Sequence, residues 1–417
     1  MSHSSQPKQP VGVRALNAAG GALRTLGLPL LRLDAATLLA RAERATGLHD
    51  FGDERFREPL ALLLRAFDEE AHLTFLGRMI ARADVSRLLE NRLRMIDVRK
   101  RHPEIGDGEV RRPLFIIGLP RTGTTILHEL LAQDPANRVP LTWEAMRPYP
   151  PPERATYDTD PRIAAVDAEL RQVDRLTPTF KAIHAMGALL PQECVALTAH
   201  DFSTMIYTTA YHIPSYDAWL ERADLRWVYA AHRRQLQYLQ WRCPAEQWVL
   251  KSPAHLWAID ALLDTYPDAC FVQTHRDPLR VVASLASLLA TLHALASDTI
   301  DVPALAREWT VRLADGLERS MAARDDGRIP PDRIYDLPFH TFVGNEVEAL
   351  RGLYAHFGRT LSDEAAERMQ RYLKVNHQGR QGGHRYGLAA TGLDPAIERE
   401  RYAAYRARFD IVDEPLN

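Results

Sequence analysis

The sequence predicts an α/β fold: a three-layer sandwich with a central parallel sheet between helices, a helical N-terminal extension and a helical cap. Three observations predict it. Residues 34–101 are rich in Ala, Leu, Arg and Glu, with little Gly or Pro and apolar residues at three- and four-residue spacing. Farther on, PLFIIGLP at 113–120, QWVLKS at 247–252 and ACFVQTH at 269–275 are short apolar runs of the kind that forms strands buried on both faces. Each runs into a helical pattern, and strand alternating with helix implies parallel strands joined by crossovers.

The elements follow in order. Residues 1–10, MSHSSQPKQP, are polar and read as a disordered tail without a cleavable leader pattern. The apolar segment Val11–Leu33, broken by Arg14, Asn17, Arg24 and Pro29, reads as a helix docked on the protein's own core, with peripheral contact with a membrane surface as the alternative. Residues 11–110 form the helical N-terminal region, closed by Pro103, Gly106 and Gly108 in a loop. Residues 111–417 form the α/β domain, with a helical, Pro-marked insertion at about 136–246 between the first and second strands. Helices are expected in AHLWAIDALLDTY and PLRVVASLASLLATLHAL. A fourth strand is expected in RIYDLPFHTF at 333–342, before a helix ending at Gly358.

Composition narrows the partners. Lys+Arg 52 against Asp+Glu 54 leaves a formal charge of -2, so nucleic acid is not expected as a partner and any anion site must be local. Three widely spaced cysteines, Cys194, Cys243 and Cys270, make neither a disulfide framework nor a metal cluster. A reducing, cytoplasmic location, no metal and no transmembrane segment are expected.

Residues 118–125 read Gly-Leu-Pro-Arg-Thr-Gly-Thr-Thr between a buried strand and a helix. The spacing of Gly118 and Gly123 is that of a nucleotide-binding P-loop, whose backbone N–H groups and helix N-terminus hold phosphate. The fold is P-loop-like in this sense. Yet Thr124 stands where a nucleoside-triphosphate site needs lysine, and the cation has moved to Arg121. Such a loop, with Thr122, Gly123, Thr124 and Thr125, fits a 5′-phosphosulfate better than a triphosphate.

At this point a resemblance enters. LPRTGTTILHELLAQDP resembles the 5′-phosphosulfate loop of sulfotransferases that use 3′-phosphoadenosine 5′-phosphosulfate (PAPS) and release adenosine 3′,5′-bisphosphate. ACFVQTHRDPLRVVASLASL resembles the same family's 3′-phosphate segment, with Arg276 at a strand end and Ser284 eight residues later in a helix. A guanidinium there supplies a fork and the serine a further donor. A late glycine-containing basic stretch, NHQGRQGGHRYGL, makes Arg380 a further 3′-phosphate candidate. The resemblance spans about residues 112–390 and looks bacterial, with an N-terminal helical extension; it implies a transferase of the EC 2.8.2 class acting on a hydroxyl of a small-molecule, lipid or carbohydrate acceptor.

The resemblance also assigns roles. Arg121 stands where many relatives carry lysine, and a guanidinium donates protons poorly, so it is expected to stabilise charge on the transferring group. Lys251 is placed like the family's strand-end lysine. His255 is expected as general base, although relatives place that histidine two residues after the lysine, where Pro253 stands here. Read from the residues themselves, Glu193 in LLPQECVAL is expected to meet substrate or an arginine, His128 and Glu129 to face either the cofactor or the core, and Trp143 and Glu144 to line the acceptor site or, more simply, the tryptophan to pack in the core. Ile126 replaces the tryptophan that relatives often stack on adenine. Aromatic and aliphatic residues of 140–240, including Tyr149, Phe180, Met186, Phe202, Met205, Tyr207, Tyr211, Tyr216 and Trp219, suggest an apolar acceptor. Two alternatives stay open: a P-loop kinase or NTPase with a displaced cation, for which Asp277 would have to hold magnesium, and a non-catalytic nucleotide-binding protein on the same fold.

Overall fold

A computed structural model describes residues 11–25, 31–176, 186–376 and 387–416 of the chain. The expected tail 1–10, Phe180 and Arg380 lie outside the described residues. Five parallel strands form one sheet in the order β2-β3-β1-β4-β5: β1 Leu114–Gly118, β2 Asn137–Arg138, β3 Gln247–Lys251, β4 Cys270–His275 and β5 Ile334–Pro338. β1 is buried along its whole length, and successive residues feed opposite faces: Phe115 and Ile117 join one core, Leu114 and Ile116 the other.

Helices cover both faces. N-terminal to the sheet lie α1 Val11–Thr25, α2 Ala35–Thr46, α3 Arg57–Glu69 and α4 Phe75–Arg101; α5 Thr124–Leu131 follows β1, and α6 Pro161–Leu176 and α7 Arg226–Gln240 lie in the insertion. After β3 and β4 come α8 Ile259–Thr265, α9 Pro278–His293 and α10 Val302–Asp325, and after β5 come α11 Glu346–His356 and α12 Asp363–Val375. Leu127 and Leu130 of α5, Leu353 of α11 and Met369 of α12 pack with Leu114 and Ile116; Leu236 of α7, Leu262 of α8, Val282 of α9 and Leu313 of α10 pack with Phe115. This is the expected three-layer sandwich. The fourth strand stops short of the expected end: β5 finishes at Pro338, and Phe339–Phe342 turns into one helical turn. The two-residue β2 has too few residues to leave a period in the sequence.

The N-terminal helices have a separate core. Leu38, Leu60, Leu63, Phe67 and Leu89 close on Phe202, Tyr207, Tyr216 and Leu220 of the insertion. Arg92 of α4 joins the two parts: it pairs with the buried Asp201 and donates to the carbonyls of Phe51 (2.7 Å), Asp53 (2.8 Å) and His200 (3.2 Å). α1 docks on α4, where Asn17 accepts the Leu76 N–H at 3.0 Å. Among the described residues no helix is long and apolar enough to cross a membrane.

Candidate active site

The strand order places the site. β1 leads through α5 to β2 on one side, whereas the neighbouring β4 leads through α9 and α10 to β5 on the other. Their connections part, so a crevice opens at the C-terminal ends of these two strands, where ligands bind in open α/β sheets. The 118–125 loop leaves β1 there, and Arg276 leaves β4.

The loop is shaped from within. Gly118 has φ +125°, and a Cβ on it would stand 2.5 Å from the Thr274 hydroxyl of β4. Gly123, at φ +88°, opens α5, while Arg121 holds φ +65°, a left-handed backbone that strains a residue with a side chain. The Thr122 hydroxyl lies 2.6 Å from the Leu119 carbonyl and 2.6 Å from the Thr274 hydroxyl. It therefore braces the loop against β4, and its backbone N–H is not engaged by that contact. Thr124 is buried in the first turn of α5 and Thr125 is exposed there.

Residues far apart in sequence meet beside the loop. Arg121 Nε donates to Ser284 Oγ at 3.0 Å, and Arg276 Nη1 donates to the Arg121 carbonyl at 2.8 Å. Arg276 lies 3.9 Å over the Phe339 ring, which also flanks Gly123, and it forks onto Glu414. Asp277 caps α9 through Leu279 N–H and accepts the Glu414 N–H, so its carboxylate is spent on structure and not on holding magnesium. Thr274, Phe339 and Glu414 carry no sequence signal of their own: they act through tertiary neighbours.

On the other side of β1 stands an acid–base cluster. Lys251, the last residue of β3, is buried and pairs with Glu193 at the start of the short helix Cys194–Thr198. Glu193 thus takes a lysine, not the expected arginine, and keeps 25% of its side chain exposed. His128 of α5 meets the Val249 carbonyl at 3.2 Å, and burial together with the Lys251 charge pushes its imidazole down to about 3. Burial raises the Glu129 carboxyl above its ordinary value, against the pull of the Tyr372 hydroxyl and of Lys251.

Two expected site residues fall elsewhere. His255 is 1% exposed; its ring stands edge-on to Phe115 at 5.0 Å, and Nδ1 lies 2.6 Å from the Tyr229 hydroxyl. Phe115 belongs to the sheet face opposite that of Lys251, because Lys251 is in register with Ile116. Burial, with His232 nearby, drives the His255 imidazole well below its usual value. Trp143 is fully buried with Val166 and Ala188 under the Arg162 guanidinium, and Glu144 beside it pairs with Arg138. Phe202, Tyr207 and Tyr216 likewise fill the N-terminal core and do not line a cleft.

Comparison with known proteins identifies the family. Residues 113–363, more than half of the chain, match the sulfotransferase family. The chain belongs to the sulfotransferase family. Among solved structures it resembles sulfotransferase STF1 of Mycobacterium tuberculosis H37Rv, at 36% identity and TM-score 0.79 over 89% of this chain and 98% of that one. It also resembles STF9 of Mycobacterium avium, at 31% identity and TM-score 0.84 over 91% of this chain and 97% of that one. The omega-hydroxy-beta-dihydromenaquinone-9 sulfotransferase Stf3 of Mycobacterium bovis is 28% identical over 277 residues, 63% of this chain and 66% of the relative's own length. This sulfotransferase membership removes the kinase alternative and makes the enzyme a transferase of the sulfotransferase class.

Proposed function

We propose that this sulfotransferase takes the sulfuryl group from PAPS and passes it to a hydroxyl of a lipid-like acceptor. The observation that carries the donor is the junction of Arg121, Ser284 and Arg276 beside the 118–125 loop, a strand-end crevice with two guanidinium groups. Bound PAPS supplies an activated sulfuryl group whose bond to the 5′-phosphate oxygen breaks as a bond to the acceptor oxygen forms. Arg121 and the loop N–H groups of 122–125 stabilise the charge that grows on the transferring group. Arg276 and Ser284 hold the 3′-phosphate.

The acceptor proton must go to a group that reaches it. His255, sealed behind Phe115 and Tyr229, is not so placed, so the role of base passes to Glu193, whose carboxylate is partly exposed and oriented by Lys251. A lipid-like acceptor is favoured by Stf3, whose name records a menaquinone derivative. Three free, buried cysteines suit a reducing compartment, and action in the cytoplasm is part of this proposal.

The test incubates the protein with sulfur-labelled PAPS and three acceptor panels: hydroxylated isoprenoid lipids, phenols and sugars. Label in the lipid products supports the reading. Label confined to sugars or phenols overturns the acceptor class, and label in none of them, with adenosine 3′,5′-bisphosphate failing to bind, overturns the donor.

A further inference from the structure

Arg276 is held on three sides. Its Nε and Nη2 donate to the two carboxylate oxygens of Glu414, each at 2.7 Å, and its Nη1 donates to the Arg121 carbonyl at 2.8 Å. The guanidinium plane rests on Phe339, 3.9 Å from ring centre to carbon. An arginine has five N–H donors. Three are used by these contacts, and among the described residues the two left over sit one on each terminal nitrogen. That pair can fork a phosphate.

Glu414 is itself fixed. Its backbone N–H donates to Asp277 at 3.0 Å, the neighbouring Asp413 pairs with Arg399 and Arg406, and the Leu416 carbonyl accepts the Leu388 N–H at 3.1 Å. A carboxylate anchored through its own backbone to the cap of α9 behaves as part of the scaffold, whereas a displaceable stand-in for phosphate would need a loose tail. Glu414 also occupies only the Nε–Nη2 edge.

We propose that Glu414, in the C-terminal segment, is a positioning residue for the donor: by holding one edge of Arg276 it presents the other donors to the 3′-phosphate. This rests on the assignment of Arg276 to that phosphate. Without Glu414 the guanidinium regains rotational freedom that must be lost again on binding.

The experiment measures, by calorimetry on the full chain, the affinities of adenosine 3′,5′-bisphosphate and of AMP, which lacks the 3′-phosphate. Wild type is expected to favour the bisphosphate, and R276A to lose that preference. E414A is expected to weaken bisphosphate binding about tenfold and leave AMP binding unchanged. E414Q, which preserves size and one accepting oxygen, is expected to fall between, and it guards against a folding defect in E414A. The double variant R276A/E414A is expected to bind no worse than R276A. Tighter bisphosphate binding by E414A or E414Q would show that the carboxylate competes with the ligand and overturns the proposal. Equal loss of both nucleotides with a lowered melting temperature assigns Glu414 to folding alone and also overturns it. If wild type itself does not distinguish the two nucleotides and R276A changes nothing, the underlying assignment of Arg276 fails first.

Discussion

At the scale of single residues, the proposed reaction divides charge stabilisation, given to Arg121, from proton transfer, given to Glu193. Arg121 sits in a strained left-handed backbone at the loop's centre, and R121A removes the guanidinium while keeping that backbone cost, because alanine also carries a Cβ. Turnover at saturating donor is expected to fall by about 10²–10³, with folding intact by circular dichroism; unchanged turnover would remove Arg121 from the reaction. Glu193 and His255 give a paired test. E193Q is expected to lower kcat by about 10²-fold with donor affinity held. H255F keeps an aromatic ring against Phe115 but leaves the Tyr229 hydroxyl without its 2.6 Å partner, so it is expected to lose about 1–3 kcal/mol of stability and to keep turnover within several-fold. The reverse pattern, with H255F inactive and E193Q active, would return the base to the imidazole.

This division also marks what could be read from the chain alone. Arg121, Ser284 and Arg276 were legible because their spacing to a strand end is a local pattern, and the structure joins all three. His255 and Trp143 are not placed by the sequence, because a histidine after a strand and a tryptophan beside a proline loop have the same local text whether they face a cleft or a core. Burial decides, and burial is set by Phe115, Tyr229 and Val166 from distant segments. The Lys251 partner of Glu193 lies 58 residues away in sequence and had no pattern to announce it.

At the scale of elements, α4 is the strut between the N-terminal helices and the insertion. Arg92 satisfies three carbonyls and the carboxylate of Asp201, whose own value burial raises despite that pairing. Removing one partner strands a buried charge. R92A is therefore expected to lose about 3–5 kcal/mol in urea unfolding, whereas the apolar double variant R92M/D201L should recover a good part of it. If R92A unfolds at the wild-type midpoint, the pair contributes nothing to the joint. The strands and long helices were foreseeable because their apolar periods run for whole elements. β2 and the end of β5 at Pro338 were not, since two residues carry no period and Phe339 continues the apolar run into a turn.

At the scale of the whole molecule, the buried histidines set the response to acid. Burial holds His128, His200 and His232 down at about 3 and His293 at about 4, and lowers His255 and His275 as well. In the unfolded chain each binds a proton near its ordinary 6.5. Between those limits the unfolded state holds more protons, so the stability these groups allow is complete above about pH 6.5 and falls as pH drops toward 3. The raised carboxyls of Asp217, Asp201 and Glu129 and the His212 imidazole, raised by its hydrogen bond to Glu308, act in the opposite sense, but they are four against six. The melting temperature of the unliganded protein is expected to decline from about pH 7 to about pH 5, and a flat profile would contradict the neutral state of these rings.

The grip of Arg276 on position 121 is made through a main-chain oxygen. Any amino acid at that position offers the same acceptor, so exchanging arginine for lysine there would change the side chain offered to the proposed donor while leaving intact the contact that anchors Arg276.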